Sequence, residues 1–234
     1  MFMYHSFYPM YFDPTYLILI PAILIGMWAQ MKVKSAYNKY RRVYSRNGYT
    51  GEQIARMMLN EAGLFDIPIE VINRELGDHY DPSSRVLRLS PDVYSGTTIA
   101  AAGIAAHEVG HAIQHKESYA PLKLRNSIFP VANLGSSLSW ILLIAGLILS
   151  IRPLVYIGIA LFAFAVIFQL VTLPVEFNAS NRALRILKER NILMGEEVNG
   201  AAKVLDAAAM TYVAATIMAI SQLLRLLAIA NRDD

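Results

Sequence analysis

Four long apolar stretches constrain this chain more than any other feature of it. Backbone N–H and C=O groups in hydrocarbon find no water, so a crossing segment must satisfy them within itself, as a helix does. The first stretch, residues 16–31, carries no charge, and Pro14 and Thr15 bring it to the ~17-residue lower limit of a span. Its basic residues follow the apolar run rather than precede it, which disfavours a cleaved signal peptide. The second and third stretches, residues 130–150 and 153–174, are separated only by Ile151 and Arg152. Each is near the ~20 residues that cross hydrocarbon, so together they predict a tight helical hairpin. The fourth, residues 207–230, is interrupted by Gln222 and Arg225. It predicts either a span or an amphipathic helix lying against the domain or the interface.

The distribution of basic residues gives an orientation. None precedes the first stretch, whereas Lys32, Lys34, Lys39, Arg41, Arg42 and Arg46 follow it. The positive-inside rule makes residues 1–14 a short extracytoplasmic N-terminus, 15–31 a transmembrane helix and 32–126 a cytoplasmic region. The hairpin, 130–174, returns the chain to the same side, so residues 175–206 are expected in the cytoplasm as well. Arg152, at the outer tip, runs against the rule. Hydrophobic residues make up 55% and charged residues 17%, which is apolar for a soluble protein. The net charge of +3 is small and no basic patch interleaved with aromatics occurs, which argues against nucleic-acid binding. Cysteine is absent, so no disulfide, thiolate ligand or thiol nucleophile exists, in keeping with a reducing compartment.

His107-Glu108-Val109-Gly110-His111 carries the chemistry. Residues i and i+4 share one helix face, so both imidazoles can reach one ion. Glu108 can lean over the ion's open coordination position and take a proton from water there. Three fixed residues form a short pattern, and a polar helix with two surface histidines is the plain alternative.

A catalytic zinc takes three protein ligands. His115 lies on the same face as His107, but the two would stand ~12 Å apart along a straight helix. Zn–N bonds are only ~2 Å, and no glycine lies between His111 and His115 to break the helix. His79, in Asp78-His79-Tyr80-Asp81-Pro82, falls in a predicted turn, where shaping the turn by hydrogen bonds is the plain role. Glu176, in LPVEFNAS at the end of the third stretch, is the strongest candidate. A carboxylate there is costly to leave unpaired, and the hairpin returns it to the face from which His107 and His111 departed. A salt bridge from Glu176 to Arg182 or Arg185 is the competing reading.

Between the apolar stretches, Thr50-Gly51-Glu52-Gln53 predicts a capping box opening a helix that runs to Glu61, with Gly63 as its stop. Residues 67–72 and 85–89 predict two strands around a turn-rich 77–84 segment. Ser95 or Thr97 is expected to start an alanine-rich helix carrying the HEVGH pentapeptide on to about Lys116. Helix, strands, then the HExxH helix is the order found in gluzincin-type metallopeptidases, where an edge strand holds substrate by β-augmentation; that step is analogy. The expected fold is α+β and mainly helical: a multi-pass membrane protein whose gluzincin-like region carries a small β-hairpin or sheet.

HEVGHAIQH, the upstream DHYDP and LRLSP, the downstream LPVEFNAS-NRAL and the late TYVAA resemble the YugP-type family of neutral zinc metallopeptidases, which are multi-pass membrane proteins. The resemblance covers nearly the whole chain. It implies Zn2+ held by His107 and His111, with Glu108 as the catalytic acid/base. A glutamate in a similar Glu-x-x-Ala context in HtpX-type membrane gluzincins implies Glu176 as third ligand. The chain departs from these patterns at two positions. Asp is expected where Asn178 stands, and HtpX-type enzymes carry Asp where Ser180 stands. Loss of a supporting carboxylate weakens the orientation of a ligand or of a neighbouring arginine.

The expected function is that of a multi-pass cell-membrane zinc endopeptidase with its active site on the cytoplasmic side. Its partners are then the bilayer and peptide or protein substrates, membrane-associated or partly unfolded. Tyr212, Arg182 and His79 are each proposed as a second stabiliser of the tetrahedral oxyanion, and Asn178 as a supporting residue. Two other readings are an intramembrane-cleaving protease and a non-catalytic scaffold with a structural metal or none. Against the first, residues 97–114 lack an apolar run of span length and the hairpin contains no aspartate.

Overall fold

A computed structural model describes residues 13–231. The predicted N-terminal segment therefore lies outside the described residues except for Asp13 and Pro14. Asp13 starts the described chain by accepting from the backbone N–H of Thr15 at 3.0 Å and from its hydroxyl at 2.9 Å. A 3-10 turn, Pro14–Leu19, then runs into helix α1, Ile20–Tyr40. This helix continues past the predicted end of its span because residues 32–40 contain neither Pro nor Gly to stop it.

Helix α2, Gly51–Glu61, opens on the predicted capping box, with Thr50 and Gln53 each bonding the other's backbone N–H. Gly63 follows it at φ 67°, the left-handed position that ends helices. The two predicted strands form as β1, Ile69–Val71, and β3, Val86–Leu89, but they pair in parallel. The hairpin partner of β3 is instead β2, His79–Asp81, antiparallel to it, giving the sheet order β1-β3-β2. Sequence reasoning placed His79 in a turn, and the structure corrects this. The actual turn follows the strand, where Asp81 accepts from the backbone N–H groups of Ser83 and Ser84 and from the Ser84 hydroxyl.

A short helix α3, Pro91–Tyr94, closes at Ser95. Helix α4, Ile99–Lys116, carries the HEVGH pentapeptide and is capped by Thr98, not by the expected Ser95 or Thr97. Thr97 instead uses its carbonyl to accept from Ser45 N–H, tying the chain after α1 to the start of α4. Helix α4 is central and buried nearly all round, through Ala100, Ala101, Ala102, Ala105, Ala106, Val109 and Ala112. Its alanine-rich sequence follows from that position, since small side chains let neighbouring elements approach closely.

Helices α5, Ala120–Ile148, and α6, Arg152–Glu189, form the predicted hairpin, turning at Ser150 with φ 54°. Helix α7, Glu196–Ala230, packs against both α1 and α6. Among the described residues, four helical segments, Pro14–Tyr40 and the three helices α5, α6 and α7, are long and apolar enough to cross a membrane. The fourth apolar stretch is thus a candidate span by length and composition. Pro174 does not end the second arm of the hairpin but lies inside α6, which removes one backbone donor and leaves the helix running. The 38 residues of α6 measure about 57 Å, well beyond ~30 Å of hydrocarbon, so the helix must project from the apolar layer.

Two apolar clusters follow. The larger joins α2, the sheet, α4 and the inner ends of α6 and α7 through residues such as Met58, Leu87, Val109, Leu187 and Leu205. The smaller joins the hairpin to α7 through Leu143, Ile159, Phe162 and Leu226. Large apolar side chains such as Leu24, Leu134, Ile141 and Ile148 face outward, the surface expected against lipid. The interruption at Arg225 is absorbed within the protein: its guanidinium lies over the Tyr16 ring at 3.8 Å and 3.8 Å from the Asp13 carboxylate.

Candidate metal centre

Helix α4 places His107 and His111 one turn apart, as their spacing requires, and α6 lies across it bearing Glu176. The crossing is close because Gly110 has no side chain: a Cβ there would stand 2.7 Å from the Ala179 carbonyl oxygen. Three donor atoms converge as a result. His107 Nε2 and His111 Nε2 stand 3.2 Å apart, and Glu176 Oε2 lies 3.3 Å from the first and 3.5 Å from the second. Donors held ~2.0–2.1 Å from one tetrahedral centre stand about 3.3–3.4 Å from each other, so all three edges fit zinc.

The hydrogen bonds behind this triangle fix the orientation of its members. Arg182 is donor-only, so the Asn178 side-chain oxygen faces it, accepting from Nε at 2.7 Å. That same oxygen accepts from the Gln114 amide nitrogen at 2.9 Å, and the amide nitrogen also donates to the Val175 carbonyl at 2.8 Å. The Gln114 oxygen is thereby turned to His111 Nδ1, 3.1 Å away, which must carry the proton. His111 Nε2 is thereby the nitrogen turned to the centre of the triangle. On the other imidazole, Nδ1 meets the Ser180 hydroxyl at 3.1 Å. Glu176 is 3% exposed, and its Oε2 has no hydrogen-bond partner. Two imidazole nitrogens and an orphaned buried carboxylate oxygen facing one point are the donor set of a cation.

Glu108 sits beside the triangle. Its carboxylate is buried and accepts from the backbone N–H of Tyr80 on β2 at 3.0 Å. Burial pushes this carboxyl above its ordinary value, against the opposing pull of His107 and His111. Two spaces meet here. One is a cleft bounded by His79, Tyr80, Leu122, Arg125 and Tyr212; the other is a cavity between α1, α4 and α7. His107, Glu108, Glu176 and Tyr212 face both.

The other residues singled out in the sequence fall in different places. Tyr212 lies beside Glu176 in both spaces, and His79 lines the cleft with its Nδ1 at 2.8 Å from the Gly77 carbonyl. His115 points elsewhere, to the Tyr80 hydroxyl at 2.9 Å. Arg182 is turned away to Glu117 at 2.7 Å, and the cation nearest Glu176 is instead Arg125, 3.7 Å from Oε1. Asn178 and Ser180, where carboxylates were expected, fill their places with neutral oxygens that satisfy Arg182, Gln114 and His107. Sequence reasoning missed Gln114, Arg125 and the backbone of Tyr80. Gln114 carried a usable signal, three residues past His111 and so on its side of the helix.

A family model described as "Putative neutral zinc metallopeptidase" matches residues 15–231. The protein described as "Putative membrane protease YugP" from Bacillus subtilis (strain 168) is 49% identical over 219 residues, covering 93% of this chain and 97% of that one. No solved structure matches. A match of this extent, on a chain whose two histidines and glutamate meet with zinc spacing, makes the protein a member of the neutral zinc metallopeptidase family.

Proposed function

We propose that the protein is a membrane-bound zinc endopeptidase in which His107, His111 and Glu176 hold the metal and Glu108 is the general base. The observation that carries this reading is the orphaned Glu176 Oε2, aimed with two imidazole nitrogens at one point beside a buried glutamate. Zinc bound there supplies Lewis acidity, polarising the scissile carbonyl and lowering the pKa of water at the site. Glu108, held by Tyr80 N–H, takes the proton of the attacking water and delivers it to the leaving amine. Tyr212 and Arg125 face the reacting atoms and serve as donors to the developing oxyanion, and His79 lines the same cleft. Arg182 and Asn178 act from behind, by fixing the Gln114 amide against His111.

The cluster of Lys and Arg after the first span supports a site at the cytoplasmic face of the cell membrane. Peptide segments at or near that surface are the substrates such a position serves. Helix α4 is not among the four membrane-crossing candidates, which favours surface cleavage over cleavage within the bilayer. The deciding experiment measures metal content and peptide hydrolysis of the protein purified without chelator, beside Glu108→Gln. One zinc per chain is expected in both, with hydrolysis only in the unsubstituted protein. Full activity in Glu108→Gln would refute the mechanism.

A further inference from the structure

The cavity on the far side of the metal ligands has no part in the reaction proposed above. Its volume is about 200 Å³, and it opens directly off His107, Glu108 and Glu176. Beyond those residues its walls include Tyr37 of α1, Ile104 of α4, and Val204, Leu205, Ala208 and Ala209 of α7. Asp78 also borders it, its Oδ1 accepting from the Ser90 N–H at 2.7 Å and from the Ser90 hydroxyl at 3.0 Å. Interiors are otherwise close-packed, so an apolar space kept open beside reacting groups marks a place for something to enter.

Size and lining together define what enters. An apolar cavity of about 150 Å³ takes a benzene ring, so this one admits a leucine, methionine or phenylalanine side chain. An acidic side chain would meet the carboxylates of Asp78, Glu108 and Glu176 there, and a basic one would lose its water against walls that are mostly apolar. Glycine or alanine would leave the space unfilled. The wall on α7 is kept open by Ala208 and Ala209, with Val204 one turn before Ala208 on the same face.

We propose that this cavity is the specificity subsite of the peptidase. It receives a large, uncharged apolar side chain from a residue adjoining the scissile bond, and Ala208 and Ile104 set its size. The proposal rests on the peptidase reading above.

Full-length, zinc-loaded protein in lipid nanodiscs is incubated with a mixed-sequence peptide library, and cleavage sites are read by mass spectrometry. Leucine, methionine and phenylalanine are expected to be enriched at one position adjoining the cut. Matched peptides with Leu or Ala at that position should differ at least about 10-fold in kcat/KM. Ala208→Leu, which fills the cavity, should collapse that ratio, and Ile104→Ala, which enlarges it, should raise Phe over Leu. The second variant reads the pocket independently should the first not fold. Cleavage without enrichment, or variants that change all peptides equally, would overturn the subsite and leave the peptidase standing. No cleavage of any peptide by the zinc-loaded protein would overturn both.

Discussion

Tyr80 and Glu108 are joined across two elements: the backbone N–H of Tyr80, on edge strand β2, donates to Glu108 Oε2 at 3.0 Å. That N–H points away from β3, so it holds the base without costing the sheet a ladder bond. Tyr80→Pro removes the donor at an outward-facing edge position, together with a buried ring of the larger core. A bond to a charged group contributes about 1.5–3 kcal/mol, so kcat should fall roughly 10- to 100-fold with zinc content unchanged. Tyr80→Phe keeps the N–H and loses only the contact to His115, and it should stay close to the parent. Equal kcat values for the two variants would show that the bond does not position the base.

Glu108 should also mark the metal-free protein with a pH-dependent cost. Burial raises its carboxyl above the unfolded value of about 4.3, so the folded state binds the proton more tightly than the unfolded state does. Stability is therefore fully present below the unfolded value and is lost as pH rises through the folded one. With zinc removed by chelator, Glu108→Gln should melt above the parent at pH 7–8, and the gap should close as pH approaches about 4. A gap that does not change with pH would mean that this carboxyl is not strained by burial.

Gly110 should control metal affinity through packing. Alanine there meets the Ala179 carbonyl at 2.7 Å, whereas alanine at Gly103 meets the Ala201 methyl at an ordinary 3.4 Å. Gly110→Ala must push α6 off α4 and carry Glu176 away from the histidines. Competition against a chromophoric chelator should show zinc affinity down at least about 10-fold for Gly110→Ala and little changed for Gly103→Ala. Similar affinities in the two variants would mean that the close approach does not set the ligand geometry.

Asn178 should be replaceable by Asp and not by Leu. Its side-chain oxygen accepts from both Gln114 and Arg182, and either carboxylate oxygen of Asp can do the same. Leucine takes away one of the two acceptors that hold the Gln114 amide nitrogen, leaving only the Val175 carbonyl. It also takes from Arg182 Nε its Asn178 partner, so the support behind His111 loosens. Zinc affinity should fall about 10- to 100-fold in Asn178→Leu and stay within a few-fold in Asn178→Asp, by the same competition assay. An unaffected Asn178→Leu variant would show that His111 needs no such support.

What the sequence made legible was mostly local. The capping box at Thr50 and Gln53, the stop at Gly63, and the helical face shared by His107 and His111 depend on residues within a turn or two of each other. The nearness of Glu176 was reachable because a hairpin has few ways to return. Strand β2 was hidden because Asp78 and Pro82 read as turn residues, and only pairing with β3 makes three residues between them a strand. Pro174 read as a helix end, but the packing of α6 outweighs the single donor it removes. Arg125 gains Glu176 from another helix, as Gln114 gains Val175 and Asn178, and no spacing within one segment encodes those contacts, although the spacing of Gln114 from His111 does encode theirs.

The unbroken course of α6 has a mechanical consequence. From Arg152 to Glu176 it is a rod of about 36 Å, so a tilt of about 3° at one end displaces the other by roughly 2 Å. Ligand distances in a metal site tolerate only about 0.2 Å. Packing against neighbouring helices sets the tilt of a long helix, and α6 packs on α4, α5 and α7. The Gly110–Ala179 contact lies only three residues from Glu176, about 4.5 Å along the helix. A tilt of about 3° about that contact moves Glu176 by roughly 0.2 Å, so the tight crossing keeps the ligand in place while the far end of the rod swings.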